Sequence, residues 1–141
     1  MILERVSPMN LEEISAEFPR VARRLGLIYL GRRNIEGTML SNGLVVRGEH
    51  VVFECSYPPA VVSTLEHLPA MACLIPGRVA VFVQNGETHV STYLATGLIR
   101  RARLAPPARA AQTKAARDYD RILTRLVSAL CSRAFRAAAR S

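Results

Sequence analysis

The dipeptide Asn85-Gly86 constrains this chain more than any other feature. It is the favoured pair for a two-residue type I′ turn, in which both residues adopt positive φ. It lies between two runs of strand formers, Val79 to Val83 and Thr88 to Leu94. A tight antiparallel hairpin is therefore expected here, and the rest of the chain has to build around it.

Further elements follow from local signals. Asn10 with Glu13 three residues on reads as a capping box. Leu11, Ile14, Phe18, Val21 and Leu25 then recur at helical spacing, and Gly26 follows as a C′ residue. Pro19 inside this helix is expected to kink or split it. Leu27 to Leu30 reads as a short strand, and residues 32–48 as a glycine-rich loop with a weak strand at Leu44 to Val46. Residues 50–55 read as a strand, and Pro58-Pro59 as the first turn of a helix. A short helix is expected at Thr96 to Arg101, and the chain breaks at Pro106-Pro107. From Ala108 to Ala139 a helix is expected, rich in Ala and Arg, with Tyr119, Ile122, Leu123, Leu126, Val127 and Leu130 on one stripe. The fold class is α+β: two layers, a mostly antiparallel sheet with helices on one face, plus a C-terminal basic amphipathic helix.

Charge divides the chain. Residues 100–141 hold eleven basic and two acidic residues, a balance of +9, whereas residues 1–99 hold eight and nine, a balance of −1. We therefore expect an α+β domain over 1–103 and a basic helical tail over 104–141. Such a tail has three uses: docking on the body by its apolar stripe, contact with an anionic membrane, or contact with nucleic acid phosphates. Arg117, Arg121 and Arg125 are the residues expected to make tail contacts.

Three cysteines, Cys55, Cys73 and Cys131, are widely spaced and form no disulfide framework or zinc knuckle. That pattern suits a reducing compartment, so a cytoplasmic location is expected. The N-terminus has no signal-peptide h-region, and no apolar run is long enough to span a bilayer.

No phosphate-binding glycine loop or nucleophile elbow occurs. No Asp precedes Asp118. A pairing of Cys55 or Cys73 with His67 is conceivable, but thiols in apolar runs stay protonated. No catalytic residue is assigned, and binding is expected rather than catalysis. The hairpin strands and residues 50–55 place one apolar set under the helices. The other set is mixed: His50, Val52 and Glu54, then Ala80 and Phe82, then His89, Ser91 and Tyr93. That face is expected either to form a homodimer interface or to hold a small ligand, with a histidine as a ligand to haem iron or another metal. His50 and His89 are the candidates and His67 the reserve.

The segments Val51 to Ala60 (VVFECSYPPA), Leu74 to Phe82 (LIPGRVAVF) and Asn85 to Thr92 (NGETHVST) resemble the bacterial and archaeal domain-of-unknown-function 302 family. The resemblance is best over 50–99, fair over 10–49 and absent after about 103. It implies a compact α+β domain that pairs as a homodimer, with haem binding suspected in some members. Gly77 stands where the family often has Cys, and Ser56-Tyr57 replaces the Asn before Pro. Cys55 matches the family's first cysteine and reads as a small core residue.

Overall fold

The computed structural model describes residues 1–140. Five strands form one antiparallel sheet: β1 (Ile2–Ser7), β2 (Ile28–Asn34), β3 (His50–Ser56), β4 (Gly77–Gln84) and β5 (Glu87–Tyr93), in spatial order β1-β5-β4-β3-β2. The hairpin sits where the turn pair demands, with Asn85 at φ 53° and Gly86 at φ 78°. Its register pairs Val81 with Val90 and Phe82 with His89.

The helices are α1 (Leu11–Arg24), α2 (Ile35–Leu40), α3 (Pro58–His67), α4 (Ala95–Ile99), α5 (Pro106–Leu130) and α6 (Arg133–Arg140). A 3-10 segment, Pro69–Leu74, follows α3. The capping box forms as expected: Glu13 N donates to Asn10 Oδ1 at 2.8 Å and Asn10 N to Glu13 Oε2 at 2.9 Å. The fold is thus α+β with the C-terminal helix present, as the patterning implies.

Helices α1 and α5 cover the apolar side of the sheet. Phe18 of α1 stacks on Phe53 of β3 at 4.3 Å between ring centroids. Leu123, Leu126 and Leu130 of α5 are buried in the same core as Val79, Val81 and Val90. The basic helix therefore docks by its apolar stripe and leaves Arg117, Arg121 and Arg125 exposed. The stripe also runs one heptad further back, to Gln112, Ala115 and Ala116.

Several local expectations need correction. Residues Ile2–Ser7, read only for signals of export, form edge strand β1 against β5. Alternation there is blurred because its outer residues Ile2 and Val6 are as apolar as its inner Leu3. Strand β2 continues past Leu30 through Arg32 and Arg33, with a register shift between Tyr29 and Gly31. Its charges read as loop, but an edge strand tolerates them. No strand forms at Leu44 to Val46; the preceding residues make α2 instead, capped by Asn34 through Gly37 N at 2.7 Å. Pro19 does not split α1, which runs unbroken. The long C-terminal helix, in contrast, breaks at Cys131 and Ser132, separating α5 from α6.

Candidate functional site

Two places could carry function: the outer sheet face and a pocket in the helical layer. On the outer face, adjacent strands align His50, Phe82, His89 and Val6 in one cross-strand row. Phe82 is stacked between the histidines, at 6.2 Å and 17° from His50 and at 5.1 Å and 11° from His89. Each histidine is held by a carboxylate. His89 Nδ1 donates to Glu4 Oε1 at 2.8 Å, and His50 Nδ1 is hydrogen-bonded to Glu36 Oε1. Burial alone would raise the Glu36 carboxyl, but hydrogen bonds from His50 and from backbone amides outweigh it and hold the group below its ordinary value.

A carboxylate on Nδ1 orients an imidazole and leaves Nε2 as the ligating atom. The spacing, however, keeps the two rings apart. They stand two strands from each other, about 10 Å, whereas two nitrogens on one metal lie within about 4 Å. His50 and His89 of one chain therefore do not fit a shared iron. Among the described residues no group of three or more His, Cys, Asp or Glu converges as a metal site. His67 lies elsewhere: it ends α3, is exposed, and its Nδ1 bonds its own helix at Ser63 O, 2.8 Å.

Tyr93, expected on the outer face, turns the other way at the strand end. Its ring stacks on Tyr119 of α5 at 5.8 Å, and its hydroxyl donates to Leu74 O at 2.9 Å. The two tyrosines help line a small, open-mouthed pocket of about 60 Å³ between α3, the 3-10 segment, α4 and α5. Its walls are mainly apolar, from Ala60, Val61, Met71, Leu74, Ile99 and Ala115. Gln112, only 1% exposed, adds an amide that donates to Ser63 O at 3.3 Å.

The Tyr119 hydroxyl is buried and makes no well-formed hydrogen bond; the Tyr93 side chain is its polar neighbour. Burial first, then the neighbouring Tyr93, pushes its phenol far above the ordinary value, so it stays protonated. It fits because β4 begins with glycine. A Cβ on Gly77 would lie 2.3 Å from the Tyr119 hydroxyl oxygen. The opposing Cys55 is buried and its thiol is pushed up to about 12, so it is not a nucleophile at neutral pH. Of these pocket residues, the sequence flagged Gly77 only as a family departure. Gln112 offered a second signal: it is a polar residue in phase with the apolar stripe of α5.

Fold and pocket together define a two-layer α+β domain with a small, open apolar pocket bearing a few polar groups. This chain belongs to the family described as "Domain of unknown function DUF302", whose profile matches residues 3–131. The match corrects the expected limit of the resemblance near residue 103, because α5 is part of the family's domain. Among solved structures the chain resembles an uncharacterized conserved DUF302 protein from Bacillus stearothermophilus, with TM-score 0.79 and 16% identity. The likeness covers 93% of this chain and 98% of that one. A search of curated proteins found no match. No helix among the described residues is long and apolar enough to cross a membrane.

Proposed function

We propose that this protein is a non-catalytic, dimeric binding module whose small ligand enters the pocket between α3, α4 and α5. The observation that carries the reading is the buried Tyr119 hydroxyl, which makes no well-formed hydrogen bond, beside a small open apolar pocket. An apolar ligand with one acceptor atom would bury the walls and satisfy that donor. Nothing at the site supplies a nucleophile or a base poised near neutral pH, since Cys55 is inert and the tyrosines stay protonated.

The dimer reading rests on the outer sheet face. Among the described residues no helix packs over its centre, where Phe82, Val52 and Ala80 are half-buried and Val6 is 48% exposed. Charges of both signs surround them, Glu4 and Glu54 against Arg33 and Arg78, so the face is complementary to a second copy of itself. Pairing through it also keeps the two basic helical layers apart. Haem is the specific alternative ligand, held by a single histidine, His50 or His89, where two such faces close over it.

The test is titration with Nile red, a neutral apolar fluorophore, of the wild type and of Val61→Phe and Thr64→Phe, which fill the pocket mouth. Saturable binding that both variants lose, with an unchanged circular dichroism spectrum, supports the pocket. Absence of saturable binding to the wild type removes it. A sharp Soret band with hemin, lost in His50→Ala or His89→Ala, would move the ligand to the sheet face. Sedimentation of Phe82→Glu against wild type tests the dimer: only the variant should be monomeric.

A further inference from the structure

Beside the apolar pocket lies a second crevice of about 150 Å³, where Arg100, Arg109 and Arg117 stand around Ile99, Thr96 and Thr113. Ile99 lines both cavities, so they are neighbours across one side chain. The α5 residues agree. Positions 109, 113 and 117 form one row of the helix, at i, i+4 and i+8, and the adjacent row, with 112 and 116, faces the apolar pocket. Arg109 and Arg117 start about 12 Å apart along the helix, within reach of a common point for two side chains of this length.

These arginines are uncommitted. Among the described residues none of the three makes a salt bridge or a side-chain hydrogen bond, whereas Lys114 and Arg121 on the same helix both engage Asp118. The carboxylate that bonds Thr96 of this crevice, Asp120, is already engaged. It accepts from Ala95 N at 2.6 Å, Thr96 N at 3.1 Å and Thr96 Oγ1 at 2.6 Å, which ties down the start of α4. Three guanidinium groups therefore stand beside an apolar pocket with no internal anion left to meet them. Guanidinium groups favour planar oxyanions and bind them with paired N–H donors.

We infer that the ligand is a monomeric anionic amphiphile, its mainly apolar chain in the pocket with the acceptor atom that meets Tyr119, and its oxyanion head held by Arg100, Arg109 and Arg117. This deepens the pocket reading above and rests on it. The tail supplies affinity by burial, and the head fixes direction, so that the charged end stays at the rim.

The test compares decanoate with decanol, each below its micellar concentration, by calorimetric titration of the full chain. We expect decanoate to bind at least tenfold more tightly at low salt, with the margin shrinking as salt rises. Arg109→Ala/Arg117→Ala should erase that margin and leave decanol binding unchanged. Arg125→Ala, outside the crevice, should change neither. Equal binding of the two probes would overturn the inference while leaving the pocket in place. Binding of neither would overturn both readings. Capture by phosphatidylglycerol vesicles with no binding of monomeric decanoate would also overturn it, in favour of a membrane surface.

Discussion

Replacing Gly77 with alanine should destabilise the protein through one contact. Gly77 does not lie in the left-handed region, so alanine meets no backbone strain there. Taken alone, Gly→Ala at such a site stabilises by about 0.4–1 kcal/mol, because the unfolded chain has less freedom to lose. The added Cβ, however, would lie 2.3 Å from the Tyr119 hydroxyl oxygen, 2.9 Å from Cε2 and 3.0 Å from Cζ. The phenol would have to retreat by about 1 Å to reach ordinary van der Waals distance. It has little room, since Tyr119 is buried in the α5 stripe and stacked on Tyr93. Overpacking of this kind costs about 1–3 kcal/mol. For a chain of this length that is a fall in Tm of about 4–12 °C. The assay is urea unfolding followed by circular dichroism on wild type, Gly77→Ala, Tyr119→Phe and the double variant. Tyr119→Phe should be nearly neutral alone, because it deletes a buried hydroxyl that makes no well-formed hydrogen bond. It should also relieve part of the clash, giving a coupling of about 0.5 kcal/mol or more. The reasoning fails if Gly77→Ala is as stable as wild type, or if the two substitutions are simply additive.

Asp120→Ala should cost about 2 kcal/mol, since two backbone N–H groups and a hydroxyl lose their acceptor at the start of α4; thermal denaturation checks it. Asn85→Gly should be close to neutral and Asn85→Ala should cost about 1 kcal/mol, because the residue sits at φ 53°; equal Tm values for the two variants would contradict this. Iodoacetamide at pH 8 should label exposed Cys73 first, Cys131 slowly because burial pushes its thiol to about 11, and Cys55 not at all without denaturant; peptide mass spectrometry reads the order. The Glu13 carboxyl is held below its ordinary value of 4.5, first by Arg140 and then by the Asn10 amide. Its folded pKa is depressed, so its contribution is present above that ordinary value and is lost as pH falls through the lowered one. Tm measured at pH 6 and pH 3 should therefore fall less for Glu13→Gln than for wild type.

Local rules acted where a residue's conformation depended on its immediate neighbours. The turn at Asn85-Gly86, the Asn10–Glu13 capping box and the prolines opening α3 were legible, because turn geometry and helix ends are set within four residues, whereas Pro106-Pro107 reads as a break and in fact forms the first turn of α5. The stripe from Tyr119 to Leu130 likewise announced a helix that would bury one face. Edge strands β1 and β2 were not legible in full, because an edge residue meets solvent on several sides and its alternation carries little information. The candidate site divided the same way. Strand periodicity placed His50, Phe82 and His89 on one face, while the register that aligns them in a row and the carboxylates from α2 and β1 that hold the histidines came from the tertiary structure. The pocket was decided by tertiary structure alone. Tyr119 is 42 residues from Gly77, and nothing local links a glycine at a strand start to a phenol on a distant helix. Only the docking of α5 over the sheet brings Tyr93, Gln112 and Tyr119 around one space and sets Arg100, Arg109 and Arg117 at its edge, because packing, not propensity, determines which helix face meets which strand.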